Sequence, residues 1–117
     1  MNKIYCLSTC DTCDRILREI QAKKKGFVLQ DIKTEKITPA QLEELKQKAG
    51  SYEALFSRRA IKYKELGLKD KALTEKDYRQ LILEEYTFLK RPVALVNGKL
   101  FVGSEKATVE ALKLVAK

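Results

Sequence analysis

Lys3-Ile4-Tyr5-Cys6-Leu7-Ser8-Thr9-Cys10-Asp11-Thr12-Cys13 carries an apolar stretch straight into a Cys-x-x-Cys pair. Residues 3–7 predict a buried strand. A helix over 11–25 is expected next, because Cys13, Ile16, Leu17 and Ile20 fall at i, i+3, i+4 and i+7. Gly26 stands where a helix usually stops. Phe27-Val28-Leu29-Gln30-Asp31-Ile32 then reads as a second strand. Strand, helix and strand in this order imply a parallel pair joined by a right-handed crossover.

Working outward, Thr38-Pro39-Ala40-Gln41 marks a helix start: a capping threonine, proline at the first helical position, and glutamine closing the box. Leu42, Leu45, Ala49, Tyr52 and Phe56 extend its apolar face, with a break into two helices expected at Gly50-Ser51. Residues 57–73 hold a basic loop and the stretch Tyr63-Lys64-Glu65-Leu66-Gly67-Leu68. Thr74 caps a further helix with Tyr78, Leu81, Ile82 and Tyr86 on one face. Arg91-Pro92 opens a strand to Val96, Asn97-Gly98 is a tight hairpin turn, and Lys99–Val102 returns antiparallel. Ser104 is the expected cap of a C-terminal amphipathic helix. The order β-α-β, helical block, β-β-α is that of an α/β thioredoxin-like (glutaredoxin-like) fold. The helical insertion spans about residues 38–90 of a single domain covering 1–117.

Composition agrees with one soluble domain. The 117 residues are 44% hydrophobic and 34% charged, which is globular rather than disordered. No apolar run approaches the roughly 20 residues of a membrane helix, and the N-terminal apolar stretch is too short for a signal peptide. A cytoplasmic location is therefore expected, where cysteines stay thiols rather than structural disulfides. Lys and Arg total 24 against 16 Asp and Glu. This surplus attracts small anions or nucleic acid, but Lys23-Lys24-Lys25 falls where cations complement a helix C-terminus. Histidine is absent, which excludes histidine acid–base catalysis and histidine metal ligands.

Cys10 is the candidate nucleophile. At a helix N-terminus, unpaired backbone N–H groups and the dipole both favour thiolate over thiol. Cys13 sits one turn on, placed to resolve a mixed disulfide or to fill the core. Cys6-x3-Cys10-x2-Cys13 has the spacing of an iron–sulfur site in radical enzymes using S-adenosylmethionine. The chain is too short for their partial barrel, however, and Thr12 stands where an aromatic is usual. A closed zinc site wants four ligands. No metal or cofactor is expected, and Cys6 reads as a buried strand residue. Arg58 reads as a surface charge. Arg91 differs, because Arg-Pro at a strand start suggests a cis peptide, and in this fold the preceding loop lies beside the cysteine. Arginine grips tetrahedral oxyanions through paired N–H groups.

Four pieces together give a specific resemblance: the strand ending in Cys10; Leu55-Phe56-Ser57-Arg58-Arg59 with Tyr63-Lys64-Glu65-Leu66-Gly67-Leu68; Lys90-Arg91-Pro92-Val93; and Val102-Gly103. The chain resembles the family of glutaredoxin-dependent arsenate reductase, the redox-sensing regulator Spx, and small reductase-like proteins. The resemblance implies a nucleophile at Cys10, a second cysteine of Spx pattern at Cys13, and anion-binding arginines at Arg91 and Arg59. Ser8, Thr9 and Pro92 take supporting positions. It implies a small anionic or thiol substrate and an external thiol reductant such as glutathione, glutaredoxin or thioredoxin. Neither membrane nor direct DNA contact is implied. Arsenate reductases of the family open His-Asn-Pro-x-Cys, and their other arginine positions fall here on Ser57 and Gly103, so arsenate is expected to bind poorly. The alternative expectations are a redox switch that contacts RNA polymerase and a member without catalysis. Against the switch, no tail is expected beyond the last helix, whereas Spx-like regulators usually have one.

Overall fold

Strand β1 (Lys3–Cys6) lies inside a four-stranded sheet of order β2-β1-β3-β4. The structure, a computed structural model, describes residues 2–116. Strand β2 (Val28–Asp31) pairs parallel with β1, Cys6 standing opposite Asp31. Strands β3 (Val93–Val96) and β4 (Lys99–Val102) form the antiparallel hairpin, and β3 pairs antiparallel with β1. Asn97 and Gly98 take φ of 52° and 81°, the left-handed pair that a two-residue hairpin turn demands.

Five helices complete the chain: α1 (Asp11–Glu19), α2 (Pro39–Ala49), α3 (Ile61–Glu65), α4 (Glu75–Glu84) and α5 (Lys106–Val115). The residues group into two compact units, 1–35 with 91–117, and 36–90. In the first unit, alternation along the strands sends Ile4 and Cys6 of β1, and Ala94 and Val96 of β3, into one core. Cys13 and Ile16 of α1 and Val109 and Leu112 of α5 meet them there. The parallel β1–β2 pair, joined through α1, answers the β-α-β expectation.

Helix α1 stops at Glu19, six residues short of the expected end. Gln21 adopts a left-handed φ of 56°. The Gln21 N–H reaches the Arg18 carbonyl (3.1 Å) and the Ala22 N–H the Leu17 carbonyl (3.0 Å), a Schellman closure without glycine. The same closure recurs one turn later, from Gly26 to Lys23 (3.2 Å) and from Phe27 to Ala22 (3.0 Å), with Gly26 at φ 76°. Gly26 thus ends the segment as read, but the helix is interrupted before it. A left-handed glutamine is strained, so Gln21→Gly should stabilise the fold by roughly 0.5–1 kcal/mol, the relief of strain being partly offset by glycine's entropy. Denaturant midpoints test this; a lower midpoint for the variant would show that Gln21 bears no strain.

In the second unit, α2 and α4 start as expected. Thr38 with Gln41, and Thr74 with Asp77, form complete capping boxes. Gly50 closes α2 at φ 96°. The Glu75 carboxylate accepts the N–H groups of Tyr52 (2.7 Å) and Glu53 (3.0 Å). Phe56 is the aromatic centre of the unit, stacked on Phe88 (5.0 Å) and tilted against Tyr78 (4.9 Å). Three expectations change. The face beyond Gly50 holds only a 3-10 turn, Glu53–Leu55, because Phe56 turns extended to bridge Leu89. The basic loop contains α3 and a 3-10 turn, Leu68–Asp70. Helix α4 ends at Glu84, leaving Tyr86 in a 3-10 turn.

In the first unit, Glu105 rather than Ser104 stands at the N-cap of α5. The left-handed Gly103 bonds its N–H to the Pro92 carbonyl (2.9 Å), and the helix begins only past Glu105. No helix among the described residues is long and apolar enough to cross a membrane.

Candidate active site

The loop from β1 to α1 is a tight turn: the Cys10 N–H donates to the Leu7 carbonyl at 3.0 Å, leaving Ser8 and Thr9 exposed at its tip. Cys10 is the N-cap of α1, its backbone extended (φ −102°, ψ 111°) while its carbonyl already accepts the Asp14 N–H at 3.1 Å. The expected placement at a helix N-terminus is therefore the observed one.

All three cysteines are thiols, and their surroundings differ. Cys10 is half-buried. Burial acts to raise its pKa, but the Cys13 N–H, the Cys13 thiol, the Arg91 charge and the Thr12 N–H all act to lower it. The balance falls below the ordinary thiol value of 9.0. Cys13 is 0% exposed. Burial first, and then the hydrogen bond its thiol donates to the Cys10 sulfur and the Cys10 charge, push Cys13 up to about 12, against lowering by the Leu7 backbone and Arg91. Of the two thiols Cys10 is therefore the one that ionises first, and Cys13 keeps its proton and donates it to the Cys10 sulfur. Cys6 is buried in β1, its Sγ 3.6 Å from the Gln30 carbonyl. Burial and then the negative charges of Asp31 and Asp14 raise its pKa.

Arg91 precedes β3, half-buried, with its Nε shielded from solvent. Its charge is felt by both Cys10 and Cys13 across 81 and 78 positions of sequence. The Arg91–Pro92 peptide is cis, as the dipeptide suggested, and Pro92 is buried. Arg59 is exposed in the second unit, its N–H 3.4 Å from the Ser57 hydroxyl. Arg58 is engaged structurally, bonded to Glu53 (2.8 Å) and the Tyr78 hydroxyl (3.0 Å).

Sequence reasoning missed Asp31. Its Oδ1 accepts the N–H groups of Ser8 (3.3 Å) and Lys33 (3.1 Å), tying the cysteine loop to the end of β2. The Ser8 hydroxyl first, and then these backbone donors against slight burial, hold its carboxyl below the usual range. The signal was available: in a parallel β-α-β unit, the residue ending the second strand lies beside the loop leaving the first. Among the described residues no three Cys, Asp or Glu side chains converge as a metal site.

Residues 5–112 match the model of the ArsC family. No curated protein matches the sequence. Solved structures share the fold over almost the whole chain. A protein named YFFB is 20% identical, with 100% of each chain covered and a TM-score of 0.84. A putative arsenate reductase from Yersinia pestis is 21% identical, covering 97% of this chain and 99% of its own, at 0.78. An arsenate reductase (ArsC) related protein from Brucella melitensis is 25% identical, covering 94% and 92%, at 0.72. With the family model spanning nearly its whole length and the thioredoxin-like fold shared with these structures, the chain belongs to the ArsC family.

Proposed function

We propose that this chain is a thiol-dependent reductase in which Cys10 attacks, as thiolate, the sulfur of a disulfide or the central atom of a small oxyanion. The observation that carries the reading is the asymmetric pair at the start of α1: an accessible Cys10 with a lowered pKa beside a buried, protonated Cys13. With a disulfide substrate, Cys10 bonds one sulfur and the other leaves as thiolate. Once Cys10 is in that mixed disulfide it carries no charge. One of the influences holding the proton on Cys13 is then gone. Cys13 loses its proton, attacks the Cys10 sulfur and expels the second substrate thiolate. The substrate has gained two electrons, and the chain holds a Cys10–Cys13 disulfide. An external thiol such as glutathione, glutaredoxin or thioredoxin returns the electrons, so no bound cofactor is needed. With an oxyanion, the Cys10 sulfur bonds the central atom as one oxygen leaves as water. An external thiol then attacks the Cys10 sulfur, and the central atom departs with the electron pair, reduced by two electrons. A second thiol frees Cys10 from the resulting mixed disulfide. A thiol-reducing compartment, the cytoplasm, suits this cycle.

Arg91 is the proposed anion-binding side chain, supported by the effect of its charge on Cys10. Arg59 is a second candidate on the resemblance alone. Arsenate enters as a candidate substrate through the names of the related structures. With Ser57 and Gly103 at the other arginine positions of the family pattern, a larger thiol adduct should be preferred over arsenate.

Titrating sulfate, arsenate and glutathione into the wild type, Arg91→Lys and Arg91→Ala tests the assignment. Arg91→Ala should weaken anion binding about tenfold or more, the loss of one charge-assisted contact, and should raise the Cys10 pKa. Arg91→Lys keeps the charge without the planar fork, so binding should fall while the thiol pKa stays near that of the wild type. Equal affinities across the three proteins would make Arg91 a structural charge only.

A further inference from the structure

Helix α3 is anomalous in what it leaves uncovered. It has five residues and buries none of them. Ile61 is 75% exposed, and Leu66, its C-cap, 50%. Two of the four large apolar side chains most exposed among the described residues therefore lie within six positions. A one-turn helix has little intrinsic stability in water, and clustered exposed apolar residues rimmed by charge mark interaction surfaces.

Beside this helix is an open groove of about 630 Å³, wholly within the second unit, lined by Arg58, Arg59, Ile61, Tyr63, Lys64 and Lys69 among others. Its acidic lining residues are Glu65 and Asp70. Arg58 is neutralised by Glu53 at 2.8 Å, and Glu65 by Lys62 at 3.4 Å. That leaves Arg59, Lys64 and Lys69 against the single carboxylate of Asp70 in the lining, beside the apolar Ala60, Ile61 and Tyr63. The groove is net positive and apolar at once. A bare phosphate backbone would satisfy the charges but leave Ile61 wet. An acidic peptide carrying an aliphatic or aromatic side chain satisfies both.

We propose that the groove beside α3 docks an acidic protein segment with an apolar anchor, its carboxylates against Lys64, Lys69 and Arg59 and its anchor against Ile61. The groove shares only Arg59 with the residues considered for the thiol chemistry, and the variants that test it are at Ile61, Lys64 and Lys69, so a failure here leaves the Cys10 reading intact, and the reverse holds.

The test is amide chemical-shift mapping of the full chain against three probes at low salt. These are a twelve-residue peptide of glutamates flanking a central Leu-Phe, the same peptide with both apolar residues changed to serine, and a twelve-base-pair DNA duplex. The first peptide should bind with shifts centred on residues 58–70. Ile61→Ser and the double variant Lys64→Glu/Lys69→Glu should each weaken it roughly five- to tenfold, as expected for the loss of an exposed apolar contact or of two surface charges. These side chains are exposed, and an otherwise unchanged amide spectrum checks that each variant is folded. Shifts centred elsewhere, no binding, equal affinity for the serine peptide, unaltered variants, or tighter binding of the duplex to the same residues would each overturn the proposal.

Discussion

Cys10→Ser should abolish reduction of any disulfide or oxyanion substrate and remove the fast-alkylating thiol at neutral pH. The magnitude follows from ionisation. Cys13 is pushed up to about 12 while Cys10 falls below 9.0, so at pH 7 the thiolate populations differ by at least about a thousandfold. A thiolate of higher pKa is intrinsically more nucleophilic, which returns about half of that gap on a logarithmic scale. Reactivity should therefore drop on the order of 30-fold or more. Burial, the largest cause of the raised Cys13 pKa, persists in the variant and also closes Cys13 to reagent. The first attack should survive in Cys13→Ser, although Cys10 loses the thiol hydrogen bond that helps lower its pKa. A fast thiol that persists near neutral pH in Cys10→Ser would move the nucleophile elsewhere.

Alkaline stability should show the same asymmetry. Cys13 has a folded pKa of about 12 against 9.0 for an ordinary thiol. Between those values the unfolded chain has released this proton and the folded chain has not. Folding stability then falls as pH rises, by up to roughly 1.4 kcal/mol per pH unit, or about 4 kcal/mol over the whole window. Cys10 acts in the opposite sense. Its lowered folded pKa adds stability as pH rises towards 9.0 and loses it as pH falls through the folded value. Denaturant unfolding at several pH values checks this. The wild type should lose stability more steeply above pH 9 than Cys13→Ala, whose own cost is nearly constant with pH. Parallel profiles would mean that the Cys13 thiol ionises as freely folded as unfolded.

The parts of the fold written in local signals were legible. Thr38 with Pro39 and Gln41, Thr74 ahead of α4, and Asn97-Gly98 each act within four residues, and each lies where it was read. The end of α1 was not legible, because Gln21 takes a conformation usually given to glycine and periodicity carries no trace of it. Helix α3 escaped because it buries nothing, and so has no apolar stripe to detect. At the site, Cys10 was legible from position alone. The influence of Arg91 on it depends on the strand order β2-β1-β3-β4, which sets β3 beside β1 and could be inferred only through the fold. The Asp31 contact to Ser8 spans 23 residues and needed the parallel register to be seen.

The central claim is that Cys10 alone is poised as a thiolate. Its most direct test is alkylation of the reduced wild-type chain across pH, read cysteine by cysteine. All three lie between Lys3 and Arg15, so fragment-ion sequencing of that one peptide must assign the label. Cys10 should label first, with a midpoint below 9.0, while Cys6 labels only above 9.0 and Cys13 only towards about 12. Label on Cys6 or Cys13 at a lower pH than on Cys10 would contradict the account.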